Sequence, residues 1–217
     1  MFTGLVQALG TVRSIEAGPV ATRLSISLDG WSHRPEPGAS IAVNGCCLTV
    51  VAAAVDDGAA EPALGFDAIP QTLRVTSLGA LRPGDRVNLE HAATPSTFLG
   101  GHVVLGHVDS LAEIVAAPDA DPARHHGEWR VRVRLGPDLA ALAVDKGSIT
   151  LDGVSLTIAA VEDLADGGAV VDVCLIPETL VRTNLAARRA GDRVNVEGDY
   201  LAKLVARRLE WVGRRGG

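Results

Sequence analysis

This sequence is written twice, and nothing else in it constrains the fold as strongly. Asn44-Gly45-Cys46-Cys47-Leu48-Thr49-Val50 returns as Asp152-Gly153-Val154-Ser155-Leu156-Thr157-Ile158. Pro70-Gln71-Thr72-Leu73 returns as Pro177-Glu178-Thr179-Leu180, and Gly84-Asp85-Arg86-Val87-Asn88-Leu89-Glu90 returns as Gly191-Asp192-Arg193-Val194-Asn195-Val196-Glu197. The offset is 108 from Gly45 to Gly153 and 107 in the two later blocks, a register that chance does not hold three times. Solenoid units run about 20–50 residues, so this period is the length of one small domain. Two homologous domains in tandem are predicted. Their starts align as well, Gly4-Leu5-Val6 over Gly106-His107-Val108. The shorter offset there implies about five extra residues in the second copy, placed at 118–127, a loop holding His125 and His126. Pro95, Ser96 and Thr97 break the strand pattern at the boundary, which divides the chain into 1–97, 98–199 and a tail, 200–217.

Within each copy, short runs rich in Val, Ile, Leu and Thr alternate with Gly and Pro punctuation. Strands are predicted over 22–28, 40–44, 47–51, 86–90, 129–135, 148–151, 155–159, 169–175 and 193–197. Short helical turns are predicted over 139–144 and 185–189. The class is all-β, with an antiparallel sandwich or barrel in each half. In the tail the pattern changes. Leu201, Leu204, Val205, Leu209 and Val212 recur at steps of three and four, which is helical. A lone amphipathic helix after a finished barrel must bury its stripe, here expected against copies from other subunits.

Composition removes several function classes. A hydrophobic content of 47% over 217 residues excludes a disordered chain and suffices for two compact domains. No apolar run approaches the roughly 20 residues of a membrane helix. The formal charge of −6 argues against a nucleic-acid partner. Met1-Phe2-Thr3-Gly4 lacks the regions of a signal peptide, and three cysteines, two of them adjacent, suit the cytoplasm. Cys46 and Cys47 would point to opposite faces of a strand. No zinc spacing is present, and no metal is expected.

The chemistry-bearing residues emerge from overlaying the copies. Cys47 falls on Ser155, Thr49 on Thr157 and Ser40 on Ser148. A spacing of two in a strand puts each pair on one sheet face. Polar residues repeated at matched inward positions suggest two related pockets for one kind of molecule, handled differently where Cys faces Ser. The bland alternative, a small buried Cys47 with hydroxyls serving local backbone, weighs about evenly. Gly100-Gly101-His102 and Gly106-His107 carry two histidines five apart, which suits no metal pair on one strand face. Glycines beside a histidine allow close backbone approach to a ligand. Pro70 and Pro177, read as prolines leaving a strand, would free backbone groups to bind a heterocycle edge-on.

As an ordered set, these residues resemble the riboflavin synthase family. The likeness runs from Met1-Phe2-Thr3-Gly4-Leu5-Val6 through Asn44–Val50, Gly101–Val108, Lys146-Gly147, Asp152–Thr157 and Pro177–Leu180 to Asn195-Val196-Glu197. It implies two six-stranded Greek-key barrels and a C-terminal helix that helps form a homotrimer. It implies that two molecules of 6,7-dimethyl-8-ribityllumazine exchange a four-carbon unit, giving riboflavin and 5-amino-6-(D-ribitylamino)uracil. No cofactor is implied, since the electron-accepting ring makes its own 7-methyl protons acidic. The productive site in the family lies between the N-terminal barrel of one subunit and the C-terminal barrel of its neighbour. Association with lumazine synthase is left open.

Carried over residue by residue, the resemblance makes Cys47 and Ser155 the nucleophilic or proton-relaying groups, with Ser40 beside the first. Thr49 and Thr157, with Leu48 and Leu156 between them and the reactive positions, orient the rings. Gly4, Leu5, Val6, Gly106, His107 and Val108 line the pockets, His107 moves a proton across the interface, and Phe2 covers the stacked pair. Asp67, Ala68, Ile69, Pro70, Gln71 and Thr72 hold pteridine and ribityl edges. Ile176, Pro177, Glu178, Thr179, Leu180 and Val181 do the same in the second copy, with Lys146 and Asp199 nearby. Gln71 departs from the pattern by replacing a charged acceptor with an amide, and Ser77 stands where Asn184 stands in the second copy. The second reading is a non-catalytic lumazine- or flavin-binding relative. Retention of Cys47, His102, His107, Ser155 and Pro177–Leu180 favours the enzyme.

Overall fold

The computed structural model describes residues 1–28, 30–53, 62–119 and 129–215. The expected insertion, with His125 and His126, lies largely outside the described residues. Two closed antiparallel barrels of six strands each follow one another. The first consists of β1 (Ala8–Ala17), β2 (Thr22–Ser27), β3 (Ser40–Val43), β4 (Cys46–Ala52), β5 (Ala63–Ala68) and β6 (Arg86–His91). The second consists of β7 (Ser110–Asp119), β8 (Trp129–Leu135), β9 (Ser148–Leu151), β10 (Val154–Asp163), β11 (Ala169–Leu175) and β12 (Arg193–Gly198). Around the first barrel the order is β1-β2-β5-β4-β3-β6, and the second repeats it. β3, β4 and β5 form a meander while β2 crosses over to lie beside β5, a Greek key. Closure leaves no edge strand to template aggregation.

Alternation decides what each barrel buries. In β4 the side chains of Cys46, Leu48 and Val50 are buried, while Cys47 is half-buried and Thr49 exposed. In β10, Val154, Leu156 and Ile158 are buried, while Ser155 is half-buried and Thr157 exposed. The inward set joins Leu24, Ile26, Phe66 and Leu89 in one core, and Ile114, Val133, Leu151 and Val173 in the other. The expectation that Cys47, Thr49, Ser155 and Thr157 point inward is therefore overturned. They lie on the outer faces of their barrels, because the pleat sends the neighbours of Leu48 and Leu156 the other way.

Three strands, β1, β5 and β7, lie outside the sequence-predicted set. β1 and β7 are long and carry register shifts, between Val12 and Ser14 and between Ile114 and Ala116, which break strict alternation. The prolines differ too. Pro70 and Pro177 open the short helices α1 (Pro70–Val75) and α3 (Pro177–Arg182) rather than an extended exit. Proline at the first helical position loses no bond, because that N–H has no partner inside the helix. The turns expected near 139 and 185 are α2 (Pro137–Ala140) and a 3-10 turn, Asn184–Ala187. The tail is helix α4 (Tyr200–Gly213), capped by the Asp199 carboxylate accepting the Leu201 N–H at 2.8 Å.

The barrels meet at a seam that repeats the duplication in space. Gly45 and Gly153 oppose each other so closely that a Cβ on Gly153 would come 2.6 Å from the Gly45 nitrogen. Both have positive φ, +75° and +79°, and glycine alone meets both demands. Asn88 donates to the Asp152 carbonyl at 2.9 Å, and Asn195 donates to the Asn44 carbonyl at 2.7 Å. In return Asn88 accepts from the Asn184 N–H at 2.8 Å, and Asn195 accepts from the Ser77 N–H at 2.6 Å. Each asparagine thus reads the other domain's backbone. The symmetry breaks at Asp152, fully buried and ion-paired with Arg188, where the first copy has Asn44.

Candidate active site

The outer faces of β4 and β10 are covered by lead-in segments that cross between the barrels. Phe2 pairs with Val104 as an antiparallel bridge, its N–H donating to the Val104 carbonyl at 2.7 Å. From there the two segments diverge to opposite pockets. The Cys47 N–H donates to the Gly106 carbonyl at 2.8 Å, and the Ser155 N–H donates to the Gly4 carbonyl at 2.8 Å. The approach is tight, since a Cβ on Gly106 would sit 2.7 Å from that of Cys47, and one on Gly4 would sit 2.5 Å from that of Ser155. Phe2 is fully buried and packs with Ala42 and Val104 against Cys47.

Each outer face carries the same pair of hydroxyls. Ser40 lies opposite Thr49 and Ser148 opposite Thr157, so each pair shares the outer face with Cys47 or Ser155. Leu48 and Leu156 turn into the cores and leave only backbone towards the outer face. Lys146 lies exposed in the turn before β9, with φ +64°, its N–H donating to the Ile158 carbonyl at 2.9 Å. Ala68 is buried, whereas Ile69, Pro70, Gln71, Ile176, Pro177, Glu178 and Val181 are exposed. Thr72, Thr179 and Leu180 are half-buried. Asp67 is engaged by Arg23, whose hydrogen bond holds its carboxyl below the usual range. Leu5 is exposed and Val6 half-buried, packed on the second core. In the matching segment, Val108 is half-buried against the first core.

The two outer faces differ where Cys47 matches Ser155. Ser155 Oγ lies 2.7 Å from His102 Nδ1, and Gly101 approaches so closely that a Cβ there would meet Ser155 Oγ at 2.9 Å. Burial pushes the His102 pKa below its ordinary value, opposed by the charge of nearby Asp199. A neutral imidazole on a serine hydroxyl has the chemistry to relay a proton, and its Nε2 is buried without a partner among the described residues. Sequence reasoning gave the proton-transfer role to His107, which is exposed and whose N–H donates to Glu197 at 3.0 Å. His102 was singled out only within its glycine-rich motif. The close glycines flanking it are the signal that pointed to it. On the other face Cys47 is half-buried, whereas burial pushes the neighbouring Cys46 thiol up to about 12 and keeps it inert.

Comparison with known proteins agrees with this duplicated arrangement. The family described as Lumazine binding domain matches residues 3–92 and again 105–199. The chain is 42% identical over 214 residues to the riboflavin synthase of Mycobacterium tuberculosis, covering 98% of this chain and 100% of that one. It is 36% identical over 209 residues to the riboflavin synthase of Bacillus subtilis, covering 96% and 90%. Among solved structures, LumP complexed with 6,7-dimethyl-8-(1'-D-ribityl) lumazine superposes with a TM-score of 0.68 at 27% identity, covering 91% of this chain and 98% of that one. LumP complexed with riboflavin matches equally well, at 26% identity. Two lumazine-binding repeats, matched end to end by riboflavin synthases, make this chain a member of the riboflavin synthase family.

Proposed function

We propose that the protein is a riboflavin synthase, a transferase that disproportionates two molecules of 6,7-dimethyl-8-ribityllumazine. The observation that carries the reading is the pair of matched outer faces, one with Cys47 and the other with Ser155 beside His102, in a chain of this family. Donor and acceptor are the same molecule in different roles, which a duplicated pocket with one altered reactive group suits. The four-carbon unit leaves one lumazine and builds the third ring of the other. Riboflavin and 5-amino-6-(D-ribitylamino)uracil together hold every atom of the two substrates, so no oxidant is needed.

Most of the acceleration is positional, since holding two reactants in register is worth roughly 7–11 kcal/mol. Ser40, Thr49, Ser148 and Thr157 supply hydroxyls to the ring and ribityl edges. His102, neutral at working pH, takes the proton released as bonds form, through Ser155, with Asp199 favouring the imidazolium. Cys47 serves the other ring. The exposed stripe of α4, Leu201, Leu204, Val205, Leu209 and Val212, would be covered in a homotrimer. Such a trimer joins the first barrel of one subunit to the second barrel of its neighbour. No described helix is long and apolar enough to cross a membrane, and a cytoplasmic location suits the reaction.

Incubating purified protein with the lumazine tests the reading. Riboflavin and the aminouracil should appear in a one-to-one ratio. A chromophore that binds and stays unchanged would establish instead a non-catalytic lumazine-binding protein of the same fold.

A further inference from the structure

Two buried glutamates stand outside the chemistry assigned above, and each is spent on the donors of a turn rather than on a cation. Glu197 on β12 is 2% exposed and accepts the N–H groups of Leu105 at 2.7 Å, Gly106 at 3.0 Å and His107 at 3.0 Å. Glu90 on β6 is 3% exposed and accepts the Thr3 N–H at 2.7 Å, the Thr3 hydroxyl at 2.7 Å and the Gly4 N–H at 3.0 Å. A carboxylate that satisfies three converging donors fixes the turn that carries them. The turn held by Glu197 delivers the Gly106 carbonyl to Cys47, in the first barrel. The turn held by Glu90 delivers the Gly4 carbonyl to Ser155, in the second.

We infer that Glu197 is the positioning residue of the Cys47 pocket and Glu90 that of the Ser155 pocket. Each acts across the seam, through the lead-in turn of its own barrel. The inference rests on the reading of Cys47 and Ser155 as pocket residues. The turns have no slack to take up a loss, because Gly106 and Gly4 already approach their targets too closely for any Cβ. Burial also pushes both carboxyls above their usual range, opposed at Glu90 by the Thr3 hydroxyl and the backbone donors, and at Glu197 by the backbone donors and the charge of Lys203.

The test is the rate at which iodoacetamide alkylates Cys47 in the full-length protein without substrate. Peptide mass mapping separates Cys47 from the buried Cys46 and the exposed Cys174. Glu197→Gln keeps the side chain's length but turns an amide N–H towards N–H donors, and should speed Cys47 alkylation about tenfold. Thr150→Val is the control. Its hydroxyl bonds the backbone N–H and carbonyl of Glu197, both at 3.2 Å, and it is buried in the same barrel away from the turn. It should lower the melting temperature while leaving Cys47 alkylation within about twofold. If Glu197→Gln does not fold, Glu197→Asp, which keeps the charge but falls short of the turn, carries the same comparison. Because no substrate is present, failure to make riboflavin would count against the proposed reaction and leave this comparison standing. Equal acceleration in the Glu197 and Thr150 variants, or none in the Glu197 variants, overturns the inference.

Discussion

His102→Ala removes the imidazole that lies 2.7 Å from Ser155 Oγ and leaves the pocket floor of Ser148 and Thr157 in place. A positioned proton acceptor contributes about 10²–10⁴ in rate. Ser155 survives, and water can enter the vacated space, so the lower end applies and kcat should fall about a hundredfold. That is about 2.7 kcal/mol of barrier at 1.36 kcal/mol per tenfold. Net stability should fall far less, by about 1 kcal/mol for one neutral hydrogen bond. Lumazine affinity should stay within about threefold, because His102 moves a proton rather than clamping the ring. The pH profile gives a second readout. Burial lowers the folded-state pKa of His102. The neutral form's contribution to stability is therefore present above about 6.5 and lost as pH falls through the lower folded value. The acidic limb of kcat should lie below pH 6.5 in the parent and disappear in the variant. Riboflavin formation followed by absorbance from pH 5 to 8 measures both. A variant that keeps kcat within twofold, or keeps the same acidic limb, would remove His102 from the proton path.

Three further expectations follow from the seam and the tail. Gly153→Ala should destabilise by about 3 kcal/mol, from the left-handed φ and a backbone clash with Gly45 that neither barrel can relieve; an unchanged melting temperature would contradict the seam geometry. Arg188→Ala strands the fully buried Asp152 carboxylate and should cost about 3–5 kcal/mol at pH 7. Burial already raises the Asp152 pKa, so acidification should protonate it and shrink that loss; identical urea-midpoint differences at pH 7 and pH 5 would count against it. Deleting residues from Tyr200 onward should weaken self-association and activity while both barrels stay folded, and sedimentation showing an undiminished trimer at low concentration would show that the barrels alone assemble.

Much of this molecule is written locally. The matched blocks around Gly45 and Gly153 require two like domains whatever their shape. Val- and Ile-rich runs between Gly and Pro punctuation locate the strands, because pleat and turn chemistry act over a few residues. The stripe from Leu201 to Val212 locates α4 for the same reason. The direction of Cys47 and Thr49 was misread as inward, although Leu48 and Val50 occupy the opposite face and an apolar core must take them. β1 and β7 were harder to read because their bulges interrupt the alternation.

What joins distant segments was decided by the tertiary structure alone. Ser155 meets His102 across 53 residues, and Glu90 reaches back 87 residues to Thr3. No local pattern encodes such pairs. Their spacing follows from barrel closure and from which lead-in segment crosses to which barrel. The duplication announces two pockets, but only the crossing at Phe2 and Val104 shows that each is roofed by the opposite barrel's lead-in. Asn44 and Asp152 look interchangeable in an alignment. They differ because a buried carboxylate needs a cation, and Arg188 reaches only one of the two positions. Periodicity records which residues avoid water, whereas the site depends on which polar groups meet after water has been excluded.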